Sequence, residues 1–182
     1  YRGRQKRLSV DGSVRRKAAE YLALSGRVVW MGNGDLRLVD GRGEGRRRYL
    51  DFIASQLFPE YLHALRSYER AVKARNHLLK DFPPPWPQVD AYTELLVRHG
   101  EIVIDCRARL VDLLGPWVDD AGGHLSGGPE SPRISYRPSA VPGSLAQSLE
   151  EAREADARRG LSTVGPHLSL IHISEPTRRN SI

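Results

Sequence analysis

The sequence predicts an α+β fold in which a long antiparallel helical hairpin, here called the arm, is flanked by short strands. The first observation is a repeat of apolar or large residues in alternating steps of four and three, which is typical of a coiled-coil seam. The repeat occupies Tyr61, Leu65, Tyr68, Val72, Arg75 and Leu79, and again Tyr92, Leu96, His99, Val103, Cys106, Leu110, Leu113 and Trp117. The second observation is the set of prolines between the two segments, namely Pro83, Pro84, Pro85 and Pro87. Because proline cannot continue a helix, we expect the chain to reverse there.

Residues 1–45 are predicted to form short strands and loops ahead of the arm. Leu8 and Val10 alternate with polar residues before Asp11-Gly12, and an Asp-Gly pair in this setting is a strong β-hairpin signal. The Ala-rich stretch at 15–24 favours a helix, and the apolar run at 28–31 favours a buried strand.

The arm is predicted to occupy residues 46–124, and two residues in its second limb are poor helix formers. Gly100 is expected to cost about 1 kcal/mol relative to alanine. The ring of Pro116 should clash with the carbonyl of Asp112. A kink or a helix end is therefore predicted near Leu114.

Residues 125–167 are predicted to lead back to the strands that flank the arm. The alternating segment Ile134–Arg137 favours a strand that ends before a proline. The segment Ser144–Arg159 favours a single helix, with Ser144 as its N-cap and Gly160 as its stop. A last short strand is predicted at Leu161–Val164.

The end of the chain resembles something other than a native protein segment. The run LSLIHISEPTR, from Leu168 to Arg178, matches an in-frame translation of a transposase sequencing adapter. We therefore interpret residues 168–182 as an adapter-derived tail and expect it to have no part in the fold. Because the chain starts at Tyr1 without a methionine, we also interpret it as an internal fragment of a longer protein.

The composition limits the classes of function. The 182 residues carry a net charge of +6, which favours an anionic partner. The single cysteine, Cys106, excludes an intramolecular disulfide and fits a reducing compartment. No apolar run approaches the ~20 residues that a membrane span needs. There is no phosphate-loop motif, no metal-ligand spacing and no nucleophile with an adjacent base, so the sequence predicts no catalytic and no metal site.

Clusters of basic residues are the main functional signal in the sequence. Such clusters neutralise phosphates without reading base sequence, although a solvated helix face has the same composition. The candidate DNA-binding residues are Arg46, Arg47, Arg48, Arg70, Lys73, Arg75 and Lys80. Arg75 differs from the others because it interrupts the seam, which leaves two roles open. It either hydrogen-bonds inside the arm or projects toward the partner limb.

Four motifs give the chain a family resemblance over nearly all of residues 4–167. RRRYLD (46–51), YERAVKARNHLLK (68–80), ISYRP (134–138) and GLSTVGPH (160–167) occur in the order and at roughly the spacing found in the RecF family. RecF proteins are bacterial recombination mediators with an ABC-type ATPase head like that of SMC proteins. The resemblance implies that the strands around the arm belong to an incomplete ABC-type head. In the family the last motif continues as GPHRDD, whereas here it breaks after His167.

The resemblance implies an ATP-dependent DNA-binding protein of the cytoplasm that acts in replication, recombination, repair and the SOS response. Such proteins bind ATP with Mg²⁺ between two protomers of a homodimer, bind DNA at single-stranded/double-stranded junctions, and act with RecO and RecR to load RecA at single-strand gaps. The ATP-binding motifs would lie before Tyr1 and after His167. This fragment is therefore expected to bind no cofactor and to show none of the weak ATPase activity of the family.

One family motif is only partly matched. Where RecF proteins have proline-glutamate-aspartate-leucine, this chain has Asn33-Gly34-Asp35-Leu36, which leaves Asp35 as a weak cofactor-binding candidate. The alternative hypothesis is that the arm is an interaction module. In that case it binds a protein partner or the facing protomer and makes no direct contact with DNA.

Overall fold

A computed structural model describes residues 7–16, 21, 24, 26–27, 29, 32, 38, 43–126 and 132–174. Its elements are β1 (Leu8–Val10), β2 (Ser13–Arg15), α1 (Gly43–Leu57), α2 (Tyr61–Leu78), α3 (Trp86–Ser126), β3 (Arg133–Arg137), α4 (Leu145–Glu151), α5 (Arg153–Arg159), a 3₁₀ turn (Pro166–Leu168) and β4 (Leu170–Ser174). This mixture of helices and short strands confirms the α+β prediction. Most of the predicted helix at 15–24, the predicted strand at 28–31 and the loop with Asp35 lie outside the described residues.

The Asp-Gly turn forms as predicted. β1 and β2 pair antiparallel, with Leu8 opposite Arg15 and Val10 opposite Ser13. Asp11 has φ 49° and Gly12 has φ 75°, so both central residues are in the left-handed region that a two-residue hairpin loop requires.

The two long helices α2 and α3 form the predicted antiparallel hairpin. Near the proline corner the Arg75 Nε donates to the Thr93 Oγ1 at 2.9 Å. At the opposite end of α2 the Sγ of Cys106 lies 3.8 Å from the Oε1 of Glu60. The seam is buried along the middle of α3, at Leu96, Val103, Cys106 and Leu110, while its outer positions Tyr92, Leu113 and Trp117 are exposed.

Gly100 lies in α3 because the helices pack very closely there. A Cβ at this position would lie 2.6 Å from the Leu145 Cδ2 and 3.1 Å from the Tyr68 ring. Close contact among α2, α3 and α4 therefore offsets the low helix propensity of glycine at this position.

A helix end near Leu114 is wrong, since α3 continues through Pro116 to Ser126, whereas a kink there stays a prediction. Asp112 and Pro116 are both exposed, so water can solvate the carbonyl that the proline leaves without a helical donor.

The predicted helix at 144–159 is instead two short helices, α4 and α5, with a break at Ala152. Gly160 ends α5 as predicted, with φ 65° in the left-handed region. Ser144 makes no side-chain cap bond. The carboxylate of Glu101 on α3 fills that role, because it accepts from the Gly143 N at 2.7 Å and the Leu145 N at 2.9 Å.

Two expectations about strands require correction. Residues Leu161–Val164 do not form a strand, because side chains satisfy their backbone: the Ser162 N donates to the Asn76 Oδ1 and the Thr163 N to the Asp156 Oδ1. The segment after His167 does take part in the fold. Its β4 pairs antiparallel with β3, and Ile171 is buried in the core formed by α1, α2 and α3. This placement concerns conformation alone and leaves the adapter-like origin of residues 168–182 as an expectation.

Candidate nucleic-acid interface

The exposed face of α2 carries a continuous row of basic side chains, here called the α2 basic stripe. It consists of His63, Arg66, Arg70, Lys73, His77 and Lys80, the last just beyond the helix end. All six residues are exposed. With a helical rise of ~1.5 Å per residue, the stripe is about 26 Å long.

The spacing of the stripe explains why it is straight. Its steps are three, four, three, four and three, which is the same repeat that defines the seam of α2. Two rows with one repeat keep a constant angle to each other around the helix, so one remains inside while the other remains outside. Packing of the arm therefore fixes the stripe on the outer surface along its full length.

The cations of the stripe have no acidic partner. Among the described residues, Arg66, Arg70, Lys73 and Lys80 form no salt bridge, and Arg70 donates only to the Arg66 O and the Ser67 Oγ. Elsewhere on the surface, guanidinium groups pair with carboxylates: Arg109 with Asp105, Arg153 with Asp90, and Arg158 with Glu154. The stripe thus places four such cations along one helix face, where Glu69 is the one acidic residue interspersed with them.

A cleft of about 460 Å³ runs beside the C-terminal half of the stripe. Val72, Lys73, Asn76 and Lys80 line the cleft. Tyr68 and His167 also line it, and a hydrogen bond of 2.5 Å joins the Tyr68 hydroxyl to the His167 Nδ1. Burial raises the pKa of the Tyr68 hydroxyl and lowers the pKa of the His167 imidazole. Both groups are therefore neutral near pH ~7, and the tyrosine donates to the imidazole.

The three arginines at the root of the arm do not form one surface. The Arg46 Nε donates to the Ile171 O at 2.7 Å and its Nη1 to the Leu38 O at 3.1 Å. The Arg47 Nη1 donates to the Ser169 O at 2.9 Å. Arg48 is exposed and pairs with Glu44 at 2.6 Å. Two of the three candidates thus hold backbone carbonyls, and their role in DNA binding stays a prediction.

Arg75 has to be corrected as a candidate DNA contact because it is buried. Its Nη1 donates to the Asp156 Oδ2 and to the Ser162 Oγ, each at 2.7 Å, and its Nε donates to Thr93. The side chain is only 2% exposed, which leaves no surface for a phosphate. Because Thr93 lies on α3, this one contact meets both roles that the sequence left open: Arg75 projects toward the partner limb and hydrogen-bonds inside the arm.

Sequence reasoning found three stripe residues, Arg70, Lys73 and Lys80, and missed the others. The signal for His63, Arg66 and His77 was available in the sequence as a second repeat of steps three and four, shifted from the apolar one. This second repeat is hard to recognise because histidine counts as uncharged in the formal net charge. Its members are also spread along the chain, whereas a search for basic clusters finds neighbouring residues.

A buried network that sequence reasoning did not identify holds the stripe-bearing helix in place. The Arg107 side chain on α3 donates to the Asp51 Oδ1 at 2.7 and 2.9 Å and to the Tyr61 hydroxyl at 3.0 Å. It also donates to the Pro166 O at 2.6 Å and to the Ser169 Oγ at 3.0 Å. One guanidinium thereby joins α1, α2 and the segment that follows α5 to α3.

The described ranges hold neither a membrane-spanning helix nor a metal-binding cluster. No helix there is both long and apolar enough to cross a membrane. In the same part of the chain, no three or more His, Cys, Asp or Glu side chains converge as a metal site.

The chain is similar to several proteins of known name. A DNA replication and repair protein RecF from Halalkalibacterium halodurans is 32% identical over 178 residues, covering 91% of this chain and 48% of that protein. The RecF of Acidothermus cellulolyticus is 34% identical, covering 97% of this chain and 53% of that protein. The RecF of Gloeobacter violaceus is 34% identical, covering 94% and 49%. This chain therefore spans about half the length of these relatives, and no family model matches it.

Two solved structures share the fold. One is the recombination mediator protein RecF of the RecFOR pathway, solved as RecF-ATPrS. It has a TM-score of 0.83 and 22% identity, with 96% of this chain and 50% of that chain covered. The other, solved as RecF-ATP, also has a TM-score of 0.83 and 22% identity, with 94% and 48% covered.

Proposed function

Because this chain is a RecF homologue along most of its length, we propose that it forms the arm region of a DNA replication and repair protein and that its α2 basic stripe contacts DNA phosphates. The observation that carries this proposal is the row of six basic residues on one exposed helix face. Its arginines and lysines have no ion-pair partner among the described residues.

The chemistry of such a row fits the DNA backbone. An unpaired guanidinium or ammonium group breaks no internal ion pair when it meets a phosphate, and each contact releases a condensed counterion from the DNA. Contacts of this kind position a protein on DNA and carry no base-sequence information. The stripe is therefore proposed as a sequence-independent contact.

For the intact protein we propose the wider activity that the family resemblance implies. It would bind ATP with Mg²⁺ between the protomers of a homodimer, and it would act in the cytoplasm with RecO and RecR to load RecA at gaps, in support of the SOS response. The support is the similarity to RecF structures solved with ATP-type nucleotides. No phosphate-loop motif occurs in these 182 residues, so ATP hydrolysis is assigned to the intact protein and not to this chain.

The test compares two double variants that remove the same charge. Lys73→Ala/Lys80→Ala removes two stripe cations, and Arg158→Ala/Arg159→Ala removes two exposed cations of α5. Binding of the 182-residue chain to fluorescein-labelled gapped duplex is measured by anisotropy over a series of salt concentrations. We expect the stripe variant to reduce the slope of log affinity against log salt by about 2, with the α5 variant unchanged. Equal slopes for both variants would refute the assignment.

Arg48 is the root arginine that can be tested without loss of a backbone contact. Its substitution by alanine releases one exposed ion pair with Glu44, whereas Arg46 and Arg47 hold the carbonyls of Ile171 and Ser169. A lower salt slope for Arg48→Ala would extend the DNA contact to the arm root. An unchanged slope would confine the contact to the stripe.

A second candidate function rests on exposed apolar residues at the far end of α3. Leu113 is 57% exposed and Trp117 is 74% exposed, and their spacing of four places both on one helix face. A large exposed aromatic side chain is typical of a protein-binding surface. Hydrogen–deuterium exchange of the chain is measured after addition of RecR or of DNA. Protection around Trp117 with RecR alone would favour an interaction module over direct DNA contact.

A further inference from the structure

The cleft beside the α2 basic stripe adjoins a second cavity. The second cavity has a volume of about 350 Å³, and Tyr68, Glu69 and His167 line both cavities. These three shared residues mark the place where the two cavities meet. The second cavity extends toward the root of the arm, where Arg48 lines it. The two cavities thus form one groove, here called the arm groove, from Arg48 to Lys80 at the end of α2.

Exposed cations line both parts of the arm groove. Lys73 and Lys80 line the cleft, and neither forms an ion pair among the described residues. Arg48 lines the second cavity and pairs with Glu44 on the surface. Exposed pairs of this kind are weak, so Arg48 can exchange that carboxylate for a phosphate. Glu69 lies between the two basic parts, so phosphates are expected on either side of it and not beside it.

The cleft also holds an amide donor whose orientation is fixed. Asn76 lies between Lys73 and Lys80 in sequence and lines the same cleft. Its Oδ1 accepts from the backbone N and the Oγ of Ser162, each at 2.7 Å. Its Nδ2 has no partner within the described part of the chain, and it is absent from the atoms there that are buried without a partner. The Nδ2 is therefore a solvent-accessible donor on an immobilised side chain.

We propose that the arm groove binds a single strand of nucleic acid and that the cleft holds one unpaired base of that strand. Lys73 and Lys80 contact the phosphates that flank this base. The Asn76 Nδ2 donates to an acceptor on the edge of the base, and Val72 packs against it. This inference rests on the proposed function and deepens it, because it names the form of nucleic acid that the site takes.

The shape of the groove favours a single strand over a duplex. In a duplex the bases are paired and stacked, so a concave cleft on a protein meets only the backbone. The cleft volume of about 460 Å³ lies within the ~300–1,000 Å³ that is typical of pockets for small organic molecules, so it has room for a base. A basic groove that follows the backbone, with contact surfaces for the bases, is the usual means of binding single strands.

The hydrogen bonds of Asn76 also predict that the base contact is independent of sequence. Asparagine recognises adenine by a bidentate contact, which needs both the amide nitrogen and the amide oxygen. Here the Oδ1 is already engaged by two donors of Ser162. The Nδ2 alone provides one donor, and every base carries at least one acceptor. The cleft therefore distinguishes a base from no base, and it does not select one base over another.

The experiment measures the binding of the 182-residue chain to labelled strands by fluorescence anisotropy. The probes are oligothymidylate, oligocytidylate and an abasic strand of the same length, which has the same phosphates and no bases. Asn76→Asp keeps the Oδ1 that Ser162 needs and replaces the Nδ2 donor by an acceptor. The control is Gln88→Glu, which makes the same change of charge at an exposed position in the first turn of α3.

We expect the unaltered chain to bind oligothymidylate about tenfold more tightly than the abasic strand, and oligocytidylate as tightly as oligothymidylate. Asn76→Asp should reduce the ratio of oligothymidylate to abasic affinity severalfold, and Gln88→Glu should leave it unchanged. Because both strands carry the same phosphates, the added charge of either variant cancels in this ratio. Equal affinity of the unaltered chain for the two strands would overturn the proposal without reference to any variant. An unchanged ratio in Asn76→Asp would overturn the base contact in the cleft.

Two further outcomes separate this inference from the function on which it rests. If Lys73→Ala/Lys80→Ala lowers the salt slope while the bases add nothing to affinity, the base site fails and the stripe stands. The second outcome uses thymidine monophosphate as a probe and the side-chain amide resonance of Asn76 as its readout by NMR. If this nucleotide shifts the resonance while the chain binds no strand, the proposed function fails and the base contact stands, with a free nucleotide as its ligand.

Discussion

Arg75 and Asp156 form a buried ion pair, with the Nη1 and Oδ2 atoms 2.7 Å apart, that joins the first limb of the arm to α5. Further hydrogen bonds surround this pair. Arg75 donates to Thr93 and Ser162, and the Asp156 Oδ1 accepts from the backbone and the hydroxyl of Thr163. A basic residue in the apolar seam is thus tolerated because α3, α5 and the segment after α5 each contribute a hydrogen-bonding group.

Replacement of Arg75 by methionine should strongly destabilise the chain. It leaves the Asp156 carboxylate buried without its cation, and we expect a loss of about 3–5 kcal/mol in the free energy of unfolding. Urea denaturation followed by circular dichroism measures this loss. Arg158→Met is the matched control, because Arg158 pairs with Glu154 on the surface at 3.5 Å, and it should change little. Similar midpoints for the two variants would contradict the role given to Arg75.

Two helical glycines, Gly100 in α3 and Gly45 in α1, should respond to alanine in opposite directions. Gly100→Ala places a Cβ 2.6 Å from the buried Leu145 side chain, and overpacking should destabilise by about 1–3 kcal/mol. At Gly45 in α1 no atom beyond its chain neighbours and its own helix backbone lies within 4 Å of the added Cβ, so alanine should stabilise the helix by up to about 1 kcal/mol. Thermal melting of both variants tests the pair. Stabilisation by both substitutions would show that the helices relax around position 100.

The N-terminus of α4 should depend on Glu101 more than on Ser144. Glu101→Ala removes the acceptor for the backbone N–H groups of Gly143 and Leu145, and we expect a loss of about 1–2 kcal/mol. The Ser144 hydroxyl donates to the Val141 carbonyl and caps no helix N–H, so Ser144→Ala should have a smaller effect. Chemical denaturation ranks the two variants. A larger effect for Ser144→Ala would restore the capping role expected from sequence.

Alkaline pH should weaken the fold through Tyr61. Burial raises the pKa of its hydroxyl, which also donates to the Asp51 Oδ1 at 2.5 Å. Because the folded pKa is above the unfolded value of ~10, the contribution of Tyr61 is complete below pH ~10 and declines as pH rises toward the folded pKa. The free energy of unfolding, measured from pH ~8 to ~11, should therefore fall less steeply in Tyr61→Phe. If the free energy of unfolding falls equally steeply with pH in the unaltered chain and in Tyr61→Phe, Tyr61 is not the cause of the alkaline destabilisation.

The sequence was sufficient to predict the elements whose signals are local and periodic. The seam repeat and the prolines indicated an antiparallel hairpin, and Asp11-Gly12 indicated the first turn. The repeat could not show where the partner helix ends. Leu113 and Trp117 follow the same spacing as Leu110, yet they extend beyond α2 and are exposed. A periodic pattern describes one helix alone, whereas the burial of its residues depends on the lengths of both helices, α2 and α3.

The features that sequence missed depend on contacts between distant residues. Glu101 caps a helix that begins 44 residues later, and Asn76 accepts from the backbone of Ser162, 86 residues away. Neither side chain has a local signal for that role. For the same reason Arg46 and Arg70 were indistinguishable in the sequence, although Arg46 holds the carbonyl of Ile171 on β4 and Arg70 lies on the exposed face of α2.

The way in which β4 is held has a consequence for what its sequence can mean. Arg46 and Arg47 bind main-chain carbonyls of this segment, and β3 pairs with its backbone, so most of these interactions ignore side-chain identity. Ile171 enters the core, while its neighbours Leu170 and His172 are exposed. The position beside β3 can thus be filled by many segments of alternating polarity that direct one apolar side chain into the core. A strand can therefore fit this position through its backbone conformation, even if its sequence has a different origin from that of the arm.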